Sequence, residues 1–433
     1  MLVENAIEPA VVTDSSHHKM TFFRQSGWMI IATVVSGLFA FFVHPLARWV
    51  PAAEYSAAAT MIAVVNWMSI PALGLQLVFA HQTSAAVTPE QRRQLVRTFK
   101  SVLRWTFYIW LVMALVVAVE NNRLLAAFKL SNPWTLWFAL MSGLMMLWTP
   151  ILNGLLQGRQ NFLWMGWVAI ISGFGRVAIA ALIVIVFKGW AAGIVLGILL
   201  GLVASVAIAF WQNWDLWNEP DEPFDVRGWL GHVVPLTLTC GVGQFLLSAD
   251  PVVVQNYLGG DGAAAPYLFG GTLARAIVLA TAPLAAVMFP KLVHRKARAE
   301  KGGPNLLGLT LLGTGILGCL AAGGLAIVAR WLIPLGKPEF AGTYIIPLMP
   351  LFAVAMVPLS LGNVLLNNLN AHSYFKSVPV LIVLAAGYWA ALLHFHDSFK
   401  MVIETLGIFN LLFFGVSAGF TLLQQRSEKR QAG

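Results

Sequence analysis

Two arginines stand inside stretches that are otherwise apolar, and they are the residues of this 433-residue chain best placed to do chemistry. Arg176 lies in SGFGRVAIA and Arg275 in GGTLARAIVL. A guanidinium at the centre of a membrane helix costs ~2.5–3.5 kcal/mol on the insertion scale, so each must face other helices or a wet cavity. Arg holds phosphate through a planar fork and keeps its charge at any depth. Gly173 and Gly175 leave room around Arg176, which reads either as a cavity-lining ligand group or as the structural partner of a carbonyl or carboxylate. Arg275 follows the turn at Gly262 by ~13 residues, or ~20 Å at 1.5 Å per residue; Asp250 precedes that turn by ~10 residues, or ~15 Å. Consecutive antiparallel helices would bring the two together as an ion pair. That pair is either purely structural or an anion-binding Arg275 tuned by Asp250. Pro251 frees a backbone carbonyl and predicts a kink beside Asp250.

The remaining candidates are weaker. Arg24 precedes the first apolar stretch, as an interfacial anchor or as a phosphate contact at the inner mouth of a cavity. Glu404 lies just inside the last apolar stretch, where it either snorkels to water or serves as a proton or cation coupling group. His394, His396 and Asp397 stand together in HFHD, but a spacing of two puts the histidines on different helix faces, so no metal site is expected. Asn363, Asn367, Asn368 and Asn370 either cap a helix end or line a polar cavity. Cys240 and Cys319 have no spacing motif and read as two small buried residues. No cofactor is expected, and no G-x-x-x-x-G-K-[ST] phosphate loop occurs.

These residues are carried by a chain whose solvent is the bilayer. Only 10% of it is charged and 58% is hydrophobic, and its mean hydropathy is +0.76. A soluble chain of this length exposes far more charge. A helix needs ~20 apolar residues to cross ~30 Å of hydrocarbon. On that ruler twelve spans are predicted, over 26–47, 56–80, 103–120, 134–156, 163–187, 190–211, 229–257, 264–289, 305–332, 343–369, 378–394 and 401–423. Helices are required because lipid offers no partner to open backbone groups. With the N-terminus inside, 18 of the 27 Lys and Arg residues fall in inside segments and 7 in outside loops, so both termini are expected in the cytoplasm. Trp49, Trp134, Trp190, Trp211 and Trp331 sit near span ends, as interfacial anchors should. The net charge of +9 is therefore a topology signal, with a preference for anionic lipid, and not a sign of nucleic-acid binding.

The chain repeats itself weakly. Residues 47–57 align with 255–265, each a short outside turn, and each is followed by a basic inside loop. Leu152-Asn153-Gly154-Leu155 likewise aligns with Leu366-Asn367-Asn368-Leu369. An even number of spans per half makes the repeats parallel. The expected organisation is a cytoplasmic tail over 1–24, a six-helix bundle over 25–211, an acidic cytoplasmic linker over 212–227, a second bundle over 228–423 and a tail over 424–433. Pro220, Pro223 and five carboxylates argue against helix in the linker, which is either simply solvated or binds a partner. Gly193, Gly197 and Gly201 form a face for close packing, within the monomer or between monomers. Outside loops are too short to hold a catalytic domain, so transport rather than an enzyme activity is expected.

Three passages resemble the polysaccharide-transporter (Wzx-like flippase) branch of the MOP exporter superfamily. They are FFVHPLARWVPAAEYSAAATMIAVVNWMSIPALGLQLVFA, LNGLLQGRQNF and LLSADPVVVQNYLGGDGAAAPYLFGGTLARAIVLATAPLAAVMFPKL. The positions that recur in that family are here Asp250, Arg275, Phe289, Pro290 and Lys291. The resemblance implies an all-α, MATE-like membrane protein of two six-helix bundles around a cavity that opens alternately to each side. It implies export of a polyprenyl-pyrophosphate-linked oligosaccharide across a bacterial inner membrane, beside glycosyltransferase or polymerase partners. Arg275 and Arg176 would then hold the phosphates, with Arg24 at the inner mouth. The rivals are an ion-coupled drug or metabolite exporter of the same superfamily, for which carboxylates such as Asp250 and Glu404 would matter more, and a scaffold that transports nothing.

Overall fold

The computed structural model describes residues 28–29, 31–33, 35–39, 42–297, 306–372 and 374–432, with side chains at 44, 73, 232, 282–297, 306, 428–429 and 431–432 left undescribed. Arg24 lies outside the described residues, and so do the side chains of Phe289, Pro290 and Lys291. No strand occurs among the described residues. The main helices are α1 (Ala52–Met68), α2 (Ile70–Ala85), α3 (Pro89–Val119), α4 (Pro133–Gly158), α5 (Phe162–Ile185) and α6 (Trp190–Gln212) in the first half. The second half holds α7 (Val226–Ser248), α8 (Ala265–Ala297), α9 (Leu306–Gly336), α10 (Ile345–Ala371), α11 (Val378–His394) and α12 (Phe399–Ala432).

Ten helices among the described residues are long and apolar enough to cross a membrane, with α1 and α2 counted together as Ala52–Ala85. The chain is a multi-pass membrane protein. The two other expected spans are only partly described: span 26–47, and span 264–289, for which the described apolar stretch is Ala265–Thr281. Of the five expected anchors, Trp49, Trp134, Trp211 and Trp331 are exposed, while Trp190 is half-buried.

Local chemistry sets the helix starts. Thr88 and Gln91 form a reciprocal capping box ahead of α3, with Pro89 in its first turn, so this helix begins well before the predicted residue 103. Asn132, Asn161 and Asp225 accept from the first turns of α4, α5 and α7. Two predicted loops contain helix: Asn121–Ala127, and Trp214–Asn218 inside the acidic linker. The linker prolines lie beyond Trp214–Asn218, so they stop that helix rather than prevent it.

The halves pack separately and then on each other. In the first, α4 lies against α1, α2 and α6, and α5 lies along α6; in the second, α10 lies against α8, α9 and α12. The glycine face of α6 points at α5, not outward. A Cβ on Gly201 would stand 2.6 Å from the Arg176 backbone nitrogen, and one on Gly197 would stand 2.5 Å from that of Ala180. Close packing of small residues thus seats α5, and with it Arg176, inside the first half. Between halves α7 runs along α2, and α1 meets α8. Cys319 is exposed and Cys240 half-buried, so the expectation of two buried cysteines is corrected; the apolar surroundings of a membrane helix do not require burial in protein.

Candidate functional site

The expected kink is present, and it builds the polar centre of the second half. Ser248 ends α7, and a one-turn helix, Asp250–Val253, restarts the chain before a π-helical turn, Val254–Leu258. Pro251 cannot donate to the carbonyl four residues back, that of Leu247. Arg275 Nε donates to that carbonyl instead, at 2.7 Å. Val252 N–H turns to Ala249 O, and the indole of Trp67 in α1 donates to Ser248 O at 3.1 Å. The break is thus capped once from its own half and once from the other. A carbonyl left bare at this depth would cost several kcal/mol.

The same guanidinium meets Asp250, as the depth argument requires. Arg275 Nη2 lies 2.5 Å from Asp250 Oδ2, which also accepts the Tyr267 hydroxyl at 2.7 Å. Asp250 is fully buried, while the Arg275 side chain is 15% exposed and stands over the Phe352 ring, 5.7 Å from its centroid. Gly271 leaves space beside Arg275 Nη1. The other carboxylate oxygen, Asp250 Oδ1, is buried with no hydrogen-bond partner among the described residues, and so is the Tyr388 hydroxyl. A buried pair with satisfied donors is hard to break from one side alone.

Arg176 is in the opposite condition. Its Nε is buried and has no partner among the described residues. It lines a small crevice with Asn66 and the apolar side chains of Ile62, Val65, Met146 and Val195, walled by α1, α4, α5 and α6. A buried guanidinium N–H without an acceptor is the costly arrangement. Arg176 and Arg275 thus lie in different halves, on α5 and α8, and share no described hydrogen-bond partner.

The other sequence candidates fall away from these two. Glu404 is exposed and pairs with Lys400 one turn earlier, at 3.5 Å, so it lies outside the buried centre. His396 packs against Tyr257 with centroids 4.0 Å apart and the rings tilted by 37°, and no metal-ligating cluster occurs among the described residues. Asn370 Nδ2 points at Cys240 Sγ on α7, while Asn368 Nδ2 and Asn370 Oδ1 are buried with no hydrogen-bond partner among the described residues, so neither side chain is seen capping the end of α10. Three contributors were not picked out from sequence: Tyr267, Trp67 and Glu54. Glu54 accepts from the Ser131 hydroxyl and from Ala191 N–H at the start of α6. A carboxylate suits a helix N-terminus. Tyr267 follows the Gly262 turn by five residues, the one sequence signal that could have found it.

On the charge-rich face the acidic linker is occupied. Arg159 grips Asp215 with two bonds of 2.9 Å, and Arg92 grips Glu219 at 2.6 and 2.8 Å. Arg93 reaches Glu222 at 3.0 Å and Arg97 reaches Asp221 at 3.2 Å. Trp217 packs on Phe99 and Phe210. Partial burial alone would raise the Asp215 carboxyl, but its bonds to Arg159, the Leu216 N–H and the charge of Arg92 outweigh this and hold it below the ordinary carboxylate range.

Neither a family profile nor a curated protein sequence matches the chain. Solved structures do. An inward-facing multidrug-resistance MATE transporter of the MOP superfamily superposes with a TM-score of 0.71 at 10% identity, covering 94% of this chain and 100% of the other. The lipid II flippase MurJ in an inward closed conformation gives 0.68 at 14% identity, covering 91% and 90%. A MATE in a straight conformation gives 0.63 at 13% identity, covering 94% and 96%. At these identities the likeness is one of fold: the chain has the MATE-like, all-helical fold expected from its sequence.

Proposed function

We propose that this protein is an alternating-access flippase. Its substrate is a polyprenyl-diphosphate-linked oligosaccharide, moved from the cytoplasmic to the outer leaflet of a bacterial inner membrane for surface polysaccharide synthesis. Both termini are cytoplasmic, and glycosyltransferases or polymerases are its working partners. The observation that carries this reading is Arg176 Nε, buried without a hydrogen-bond partner among the described residues, on a guanidinium that faces a crevice inside a membrane bundle. A diphosphate supplies the acceptors that Arg176 lacks, in a geometry the planar fork matches. Arg275 is a second phosphate ligand, available once Asp250 releases it, and Arg24 is the third, at the inner mouth. Fold likeness to both a lipid flippase and MATE exporters supports transport as the activity class.

The test is glycan export in cells carrying Arg176→Ala or Arg275→Ala at normal protein level. Loss of export in Arg176→Ala supports the assignment; full export in both variants overturns it. One observation favours the rival reading, a cation-coupled drug or metabolite exporter: Asp250 Oδ1 is buried without a partner and would accept a cation or proton. Efflux of a lipophilic cation that disappears in Asp250→Asn, with glycan export absent from the parent, selects that rival. A scaffold reading needs the linker carboxylates free, and they are engaged by the chain's own arginines.

A further inference from the structure

A lysine is buried on the charge-poor face, where the two halves meet. Lys337 follows α9 and is 1% exposed. An ammonium has three donors and no acceptor, so burial requires three partners. Lys337 has them. Its Nζ donates to Ala47 O at 3.0 Å and to Val50 O at 2.5 Å, and lies 3.4 Å from a Glu339 carboxylate oxygen. Phe340 adds its ring face, with the centroid 5.6 Å away.

The two carbonyls belong to the other half. Ala47 lies in the 3-10 turn His44–Trp49, and Val50 is its C-cap. Carbonyls at such an end carry the negative pole of the turn: Ala47 O accepts only the Val50 N–H, at 3.2 Å, and Lys337 adds a charged donor to it and to Val50 O. Lys337 therefore caps a first-half turn from the second half. Its neighbours cross the same boundary. Tyr55 of α1 meets Phe269 of α8 with centroids 5.9 Å apart, and Phe269 meets Phe340 at the same distance. Gly262, at φ 79°, lies so close to α1 that a Cβ would stand 2.7 Å from the Ala53 nitrogen.

We propose that Lys337 is a latch that closes this face, the outside on the basic-residue count, and that it must let go whenever the halves part there. The inference rests on the alternating-access part of the proposed function and not on its substrate. Glu339 makes the contact releasable. It is 70% exposed and sits two residues along the same segment, so it travels with the lysine and remains its counter-charge in water. What opening breaks is the pair of carbonyl bonds, and water replaces those on both sides.

The test measures outside access. In a Cys240→Ser, Cys319→Ser background, Val50→Cys reports a buried position (2% exposed) and Trp49→Cys a control that is 51% exposed. Both are labelled in intact cells with a membrane-impermeant maleimide. With Lys337→Met, labelling of Val50→Cys is expected to rise by at least about 10-fold, since one charge-assisted bond carries about that factor and two are lost, while Trp49→Cys is unchanged. Lys337→Gln, which keeps an amide donor, is expected to fall between and covers the case in which Lys337→Met does not accumulate. Equal Val50→Cys labelling with and without Lys337 overturns the latch. A protein that exports no lipid-linked glycan yet shows the labelling change would refute the substrate reading alone, so the two ideas fail separately.

Discussion

At the residue scale, two arginines of the same type have different fates. Arg275 is satisfied: Asp250 balances its charge and the carbonyl stranded by Pro251 takes its Nε. Arg176 is not. Asp250→Ala should therefore destabilise the protein by about 3–5 kcal/mol, the cost of a buried charge without its partner, and Asp250→Ala with Arg275→Met should recover only part of it, because Leu247 O then loses its donor. Thermal unfolding in detergent measures both. Arg275→Lys should behave more like a loss than a conservative change, because an ammonium cannot span Leu247 O and Asp250 as the fork does. Arg176→Met, by contrast, should leave stability unchanged or raise it. The Asp250–Arg275 pair was legible in sequence because helix rise fixes depth on two consecutive helices. The bare condition of Arg176 was not, since it depends on which side chains of α1, α4 and α6 face it.

At the scale of elements, the break before Asp250 and the clamped linker carry the argument. Pro251 announced the break, but the π turn Val254–Leu258 that follows has no comparable sequence mark. The acidic linker and the basic stretch from Arg92 to Lys100 were each visible, yet not their union, because about 120 residues separate the partners. Each exposed pair contributes little alone, so Arg92→Ala should change stability by under about 1 kcal/mol. Arg159→Ala should instead free the linker locally, seen as faster amide exchange across 213–222. The pH response follows from Asp215, whose carboxyl is held low in the folded chain. A depressed carboxylate contributes fully above its unfolded value of about 3.9 and loses that contribution as pH falls through the lower folded value. Amide exchange across the linker should therefore be unchanged between pH 7 and pH 5, once corrected for intrinsic rates, and accelerate only below about pH 4. Acceleration already at pH 5 would mean that Asp215 is not held by Arg159.

At the scale of the whole molecule, six plus six was read from basic loops at matching places and from two weakly repeated turns. The turns do more than repeat. The second, at Gly262, is pressed against the first turn of α1, beside Glu54, and Lys337 reaches the carbonyls just before it. Such contacts between distant segments leave no periodic trace in a sequence, and a loop lysine looks like any other. If the halves part on this side during transport, spin labels at the exposed residues Trp49 and Tyr257 should show a second, longer distance when substrate is added. A single unchanged distance across all conditions would argue for a static assembly.

The central claim is that Arg176 holds the phosphates of a lipid-linked saccharide. Binding of undecaprenyl diphosphate to the purified protein, read by native mass spectrometry in detergent, tests it most directly. The account predicts that Arg176→Met weakens this binding about 10-fold or more while the unfolding temperature holds, as expected for charge-assisted bonds of about 1.5–3 kcal/mol. Equal affinity in parent and variant would contradict it.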